Sequence, residues 1–247
     1  MKKLMFAAAA IAAGVAVADV TSANIVGYGG NNLNSGAKRI LITPQFATIG
    51  NAEKQIRLGD IKPVLSDGTV AGNGRVTIYT LQNTGATDQT YRWNGSKWLH
   101  NSADASNELL PAGKGLWVYC TLTAGTVVSL QGCGEVNNES IIVRLEGGAK
   151  RTALGNGFPT AIKFKDVVPE AVTEGQTVGN GRVTIYTLKE TGATDQTYRW
   201  NGSKWLHNNV DASEEDLPAG KGLWVYCTMP VATTLVDLRL KNPVFTK

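Results

Sequence analysis

The chain has 247 residues and a formal net charge of +4, from 24 basic and 20 acidic side chains that nowhere gather into a basic block. Nucleic-acid binding needs a concentrated basic stripe, so that class of partner is excluded. With 28 glycines, recurrent threonine, valine and asparagine, and no long charged runs, the composition favours strands joined by tight turns over amphipathic helices.

The first segment reads Met1-Lys2-Lys3, then an apolar run from Leu4 to Val17, then Ala16-Val17-Ala18 before Asp19. A basic start, a short apolar core and a small-x-small site predict a secretory signal peptide over 1–18, cleaved after Ala18. Cleavage removes Lys2 and Lys3 and leaves a mildly basic chain. No cysteine follows the cleavage site, and no later stretch is long and apolar enough to span a bilayer, so neither a lipid anchor nor a transmembrane segment is expected. The expected location is secreted, periplasmic or at the cell surface of a bacterium.

The stretch Gly72 to Asn101 returns as Gly179 to Asn208 with only Gln82/Asn83 replaced by Lys189/Glu190, and Leu110 to Thr121 returns unchanged as Leu217 to Thr228. A repeat period of about a hundred residues is a small domain rather than a solenoid unit. The expected organisation is an all-β chain of two tandem duplicated modules, 19–133 and 134–247, each a small β-sandwich or barrel-like domain of about six to eight strands.

In chain order, Gly36 to Phe46 contains a strand around Ile40–Ile42 that Pro44 should end, matched more loosely by Gly148 to Phe158 after a strand-like Ile141 to Leu145. Ala52 to Leu58 is the one helical suggestion. Arg75 to Leu81 alternates as a strand, and Gln89–Trp93 with Ser96–His100 reads as a hairpin closed by Asn94-Gly95 in a type I′ turn, repeated at Asn201-Gly202. A two-residue loop would set Tyr91 opposite Trp98 and Arg92 opposite Lys97, giving the ribbon one aromatic and one basic face. An acidic loop follows, then the Leu-Pro-Ala-Gly-Lys-Gly turn into the strand LWVYCT, and a closing strand over Thr126–Leu130 or Thr234–Leu240.

Three cysteines in an exported chain leave at least one thiol without an intramolecular partner. Cys120 and Cys227 occupy the same place in each repeat and read as small buried hydrophobes. Cys133, in what looks like the linker up to Asn138, has two alternatives to a free thiol: a bond to Cys120, or a bond that makes a dimer of two chains.

The candidate ligand-binding residues are Tyr91, Trp93, Trp98, His100 and Trp117, with Tyr198, Trp200, Trp205, His207 and Trp224 as their counterparts. Flat aromatic faces beside hydrogen-bonding groups suit sugar rings, but the same side chains are also the natural core of a small β-domain. His100 and His207 have no nucleophile motif beside them, so no catalytic residue is assigned. The acidic loops, Asp104, Asn107 and Glu108 or Asp211, Glu214 and Asp216, lack the alternating order of a calcium loop, and no metal or cofactor is expected. Gly72-Asn-Gly74 leads into a strand rather than a helix, unlike a phosphate loop, and the Asn94 and Asn201 glycosylation triplets are accounted for by the hairpin turns.

The opening Ala23-Asn-Ile-Val-Gly-Tyr28, the Y-x-W-N-G-x-x-W hairpin and the P-x-G-K-G-x-W-V turn-strand resemble uncharacterised exported tandem β-modules of Planctomycetes- and Verrucomicrobia-type surface proteins. The resemblance spans about residues 23 to 228 and implies an exported, non-enzymatic protein. The expected function is therefore a structural or interaction protein of the cell envelope or extracellular space, with an envelope protein as partner. The alternative is a carbohydrate-binding protein that holds a glycan on the Tyr/Trp clusters.

Overall fold

A computed structural model describes residues 26–34, 38–82, 84–123, 125–148, 150–172, 177–230 and 234–243. The signal peptide expected over 1–18 lies outside these residues. The protein is all-β, with several antiparallel sheets, none closed into a barrel. No helix among the described residues is long and apolar enough to cross a membrane.

Each half of the chain carries a six-stranded sheet in the same strand order. In the first half the order is Lys38–Ile42, Leu116–Cys120, Val76–Leu81, Thr87–Trp93, Trp98–His100, Ala103–Asp104; in the second it is Lys150–Gly155, Gly222–Cys227, Val183–Leu188, Thr194–Trp200, Trp205–His207, Val210–Asp211. A smaller sheet faces each. Its central strand is Val127–Val136 in the first half and Leu235–Leu240 in the second, flanked by Val26–Asn34 and Ile61–Leu65 or by Ile141–Glu146 and Val167–Ala171.

Alternation explains this layering. Leu116, Val118 and Cys120 point to the core while Trp117 and Tyr119 point away, and the second half repeats the pattern with Leu223, Val225 and Cys227. Ile78, Trp98 and Val118 from the large sheet meet Val128 and Leu130 from the small one in a single buried cluster, and Ile185, Trp205 and Val225 meet Val236 and Leu238 likewise. All three cysteines are free: Cys120 and Cys227 are buried, which pushes their thiols up in pKa, and Cys133 is exposed. The Cys120–Cys133 disulfide is therefore not formed.

Two expectations are corrected here. The Ala52–Leu58 stretch is not a helix. Asn51 Oδ1 accepts the amides of Glu53 and Gln55, Lys54 takes a left-handed φ of 54°, and the segment runs into the short strand Ile56–Arg57 and a 3₁₀ turn over Leu58–Asp60. Cys133 to Val136 is also no linker, since it belongs to the Val127–Val136 strand and pairs with Tyr28 to Val26 on one side and with Ala47 and Phe46 on the other. Within it, Glu135 is buried, accepting the Gly50 amide at 2.8 Å and the Lys54 ammonium at 2.9 Å. A boundary after Cys133 would cut that strand, which runs on to Val136.

The two halves meet through reciprocal contacts. Thr43 N donates to Gly220 O at 2.9 Å, and Gly155 N donates to Gly113 O at 3.1 Å; Ile42 bridges Lys221, and Leu154 bridges Lys114. In the repeat, position 43 corresponds to 155, 42 to 154, 113 to 220 and 114 to 221, so each contact is returned by its counterpart, as at a two-fold isologous interface. Trp117 packs edge-on against Trp224 at 6.4 Å within a cluster of Leu41, Ala153, Leu81 and Leu188.

Glycine makes the approach feasible: a Cβ on Gly222 would stand 2.5 Å from the Leu41 carbonyl carbon. Gly222→Ala should therefore lower stability by about 1–3 kcal/mol, the usual cost of overpacking. Gly179→Ala, where a Cβ meets nothing within 4 Å, should be nearly neutral. Urea unfolding midpoints of the two variants and the parent check the contrast.

Candidate functional site

The repeated hairpin is closed differently from the expected type I′ turn. Trp93 pairs with Trp98 and Arg92 with Leu99, leaving a four-residue loop from Asn94 to Lys97. Asn94 keeps an ordinary φ, and only Gly95 is left-handed, at 99°. The Asn94 side chain explains the shift: its Oδ1 accepts the amides of Ser96 and Lys97, while Asn94 N donates to Lys97 O at 3.0 Å. A hairpin with two left-handed central residues does occur one turn later, at Asn101 (49°) and Ser102 (68°), between the paired His100 and Ala103, and again at Asn208 and Asn209.

The register decides the two faces. Tyr91, Trp93 and Trp98 share one face as expected, and that face is buried, with Trp98 and Trp205 wholly inaccessible. Trp98 Nε1 donates to Ile61 O at 2.8 Å and Trp205 Nε1 to Val167 O at 2.6 Å, tying the large sheet to the small one. Trp93 and Trp200 pack edge-on against them and donate to Ala71 O and Val178 O. Indoles so enclosed offer no surface for a sugar ring, which corrects the glycan platform expected on Tyr91, Trp93, Trp98 and their counterparts Tyr198, Trp200 and Trp205. Trp117 and Trp224 are partly buried against each other between the halves.

His100 and His207 sit at the core's margin. Glu108 accepts the Tyr91 hydroxyl at 2.7 Å and lies 3.5 Å from His100 Nδ1; Glu215 does the same for Tyr198 at 2.8 Å and His207 at 3.3 Å. One carboxylate thus clamps a core tyrosine and a half-exposed imidazole, and the clamp occurs in both halves. Burial first, then the hydrogen bond to Glu108 or Glu215, pushes both tyrosine hydroxyls well above their ordinary pKa.

In the acidic loops, Lys97 pairs with Asp104 at 2.9 Å and Lys204 with Asp211 at 2.7 Å. Those lysine contacts, followed by hydrogen bonds from Ser106 or Ser213, hold the two aspartates below the usual carboxylate range. The expected Arg92–Lys97 like-charge pair is absent, because the four-residue loop turns Lys97 towards Asp104.

The solvent-facing side of the ribbon forms a concavity of about 570 Å³. Thr90, Arg92 and Leu99 line it together with Asn73, Asn94 and Asn101. The Arg92 guanidinium makes no hydrogen bond or ion pair among the described residues, and neither does that of Arg199. The residues at the matching positions of the second half, Thr197, Arg199, Leu206, Asn180, Asn201 and Asn208, are identical. The expectation of a basic face thus holds for Arg92, while the groove of amides around it went unseen, since it needs Asn73 and Asn101 brought beside the hairpin.

Fold and site together define an all-β protein whose repeated hairpin buries its aromatic side and presents an arginine- and amide-lined side. No family model matches the chain, and no curated protein matches it. Among solved structures it is similar to the infectious bursal disease virus VP2 subviral particle, at 11% identity and a TM-score of 0.21, over 89% of this chain and 67% of that one. Infectious bursal virus derived T=1 particles match with the same identity and TM-score, over 89% of this chain and 65% of theirs.

The tyrosine clamp gives a pH prediction. A hydroxyl whose folded pKa is raised favours the folded state below the unfolded value of about 10, and that contribution is lost as pH climbs beyond it. Absorbance titration of phenolate should show Tyr91 and Tyr198 silent through the ordinary range and ionising together with unfolding. Tyr91→Phe and Tyr198→Phe together should leave the ordinary-range amplitude unchanged and remove the late one.

Proposed function

We propose that the protein is a non-enzymatic interaction protein of the bacterial cell envelope or extracellular space, exported through its 1–18 segment and built of two β-modules. The observation that supports this reading is the Arg92 groove, whose residues recur at the Arg199 hairpin while the aromatic side chains are spent on the core. An exposed guanidinium without a partner, ringed by amides, suits a polar, anionic surface, and arginine can take carboxylate or phosphate in a bidentate manner. Two identical faces on one chain give avidity on a repetitive partner without added contacts.

The mature chain from Asp19 should co-sediment with washed envelopes of the producing cells. Arg92→Glu or Arg199→Glu should each reduce the bound fraction several-fold, and the double variant should fall to background. Undiminished sedimentation of a folded double variant would overturn this reading.

A further inference from the structure

Among the places where the two halves differ in sequence, Leu109 against Asp216 lies beside a cavity in the first half. In the first half a space of about 200 Å³ lies against the turn that carries Leu109, Pro111 and Lys114, with the Tyr91 ring, Gln89 and Asp88 also lining it. The Lys114 ammonium makes no hydrogen bond or ion pair among the described residues, and Leu109 is 45% exposed. In the second half Asp216 stands at the place of Leu109 and pairs with Lys163 at 2.8 Å. There Lys221, the counterpart of Lys114, donates its ammonium to Leu188 O at 2.8 Å. The second half therefore spends both groups internally, whereas the first presents a free cation beside an apolar wall.

A cation bordering apolar surface is best satisfied by an anion that brings its own apolar body. The space is smaller than the roughly 300–1,000 Å³ that holds drug-sized molecules. We propose that this cavity binds a small apolar carboxylate of the size of one aliphatic amino-acid residue. The carboxylate pairs with Lys114, and the aliphatic part rests on Leu109 and Pro111. Asp88, which also lines the space, disfavours a second carboxylate. A free acid and the carboxyl end of a peptide share this chemistry. The site is separate from the Arg92 groove and stands or falls independently of it.

The test is a titration of the full mature chain with N-acetyl-leucine, followed by amide proton–nitrogen spectra. Saturable shifts are expected for residues 109–116 and not for 216–223. N-acetyl-leucinamide, which lacks the carboxylate, should bind at least tenfold more weakly. Lys114→Met and Leu109→Asp should each weaken binding at least tenfold. Leu109→Asp installs the residue already tolerated in the second half, so its spectrum elsewhere should be unchanged. A tripeptide ending in a free leucine that binds as well as N-acetyl-leucine assigns a chain end, and one that binds more weakly assigns the free acid. No saturable shift, equal binding of the amide, or unchanged binding by folded Leu109→Asp would overturn the proposal.

Discussion

The arrangement of the molecule depends on the reciprocal contact between its halves. Its main-chain bonds run from Thr43 to Gly220 and from Gly155 to Gly113, with a third from Gly115 N to Ala153 O at 3.0 Å. Such bonds need backbones close together, and side chains on Gly155 or Gly222 would clash across the contact: a Cβ on Gly155 would lie 2.4 Å from Thr43 Oγ1. Trp117 and Trp224 then close over the apolar cluster between the halves. Two halves that dock in this way use equivalent surfaces on both sides of the contact.

Within each half the decisive interaction is the indole that bonds across the core. Trp98 and Trp205 fill the space between the sheets and still satisfy their N–H groups on Ile61 and Val167. A buried indole without that acceptor would carry a substantial desolvation cost. Because this side of the hairpin is committed to the core, the opposite side, with Thr90, Arg92 and Leu99 beside the asparagines, is the one left to line the groove.

Much of this was legible in the residues. The LWVYCT strand alternates as its pattern requires, with Cys120 and Cys227 inward, and the hairpin's aromatic grouping survives the change of register. Other features turned on competition the one-letter pattern does not resolve. Asn94-Gly95 suggests a two-residue turn, but the Asn94 carboxamide binds two amides and stabilises a longer loop. The helical reading of Ala52–Leu58 fails for the same reason at Asn51. Glycine-rich Gly132 to Gly134 looks like a linker, yet the absence of side chains is what lets that strand pack: a Cβ on Gly134 would lie 2.0 Å from Ala47 O. Which face of the hairpin is buried, and that Arg92 lies beside Asn73 and Asn101, are tertiary facts that no local pattern contains.

The central claim is that the halves form one unit through main-chain hydrogen bonds, and amide hydrogen exchange on the intact protein reads those bonds directly. The account predicts that the amides of Thr43, Gly115 and Gly155 exchange as slowly as the core amides of Ile78 and Ile185, opening only with global unfolding. Exchange of those three at the rate of free loop amides, while Ile78 and Ile185 stay protected, would contradict it.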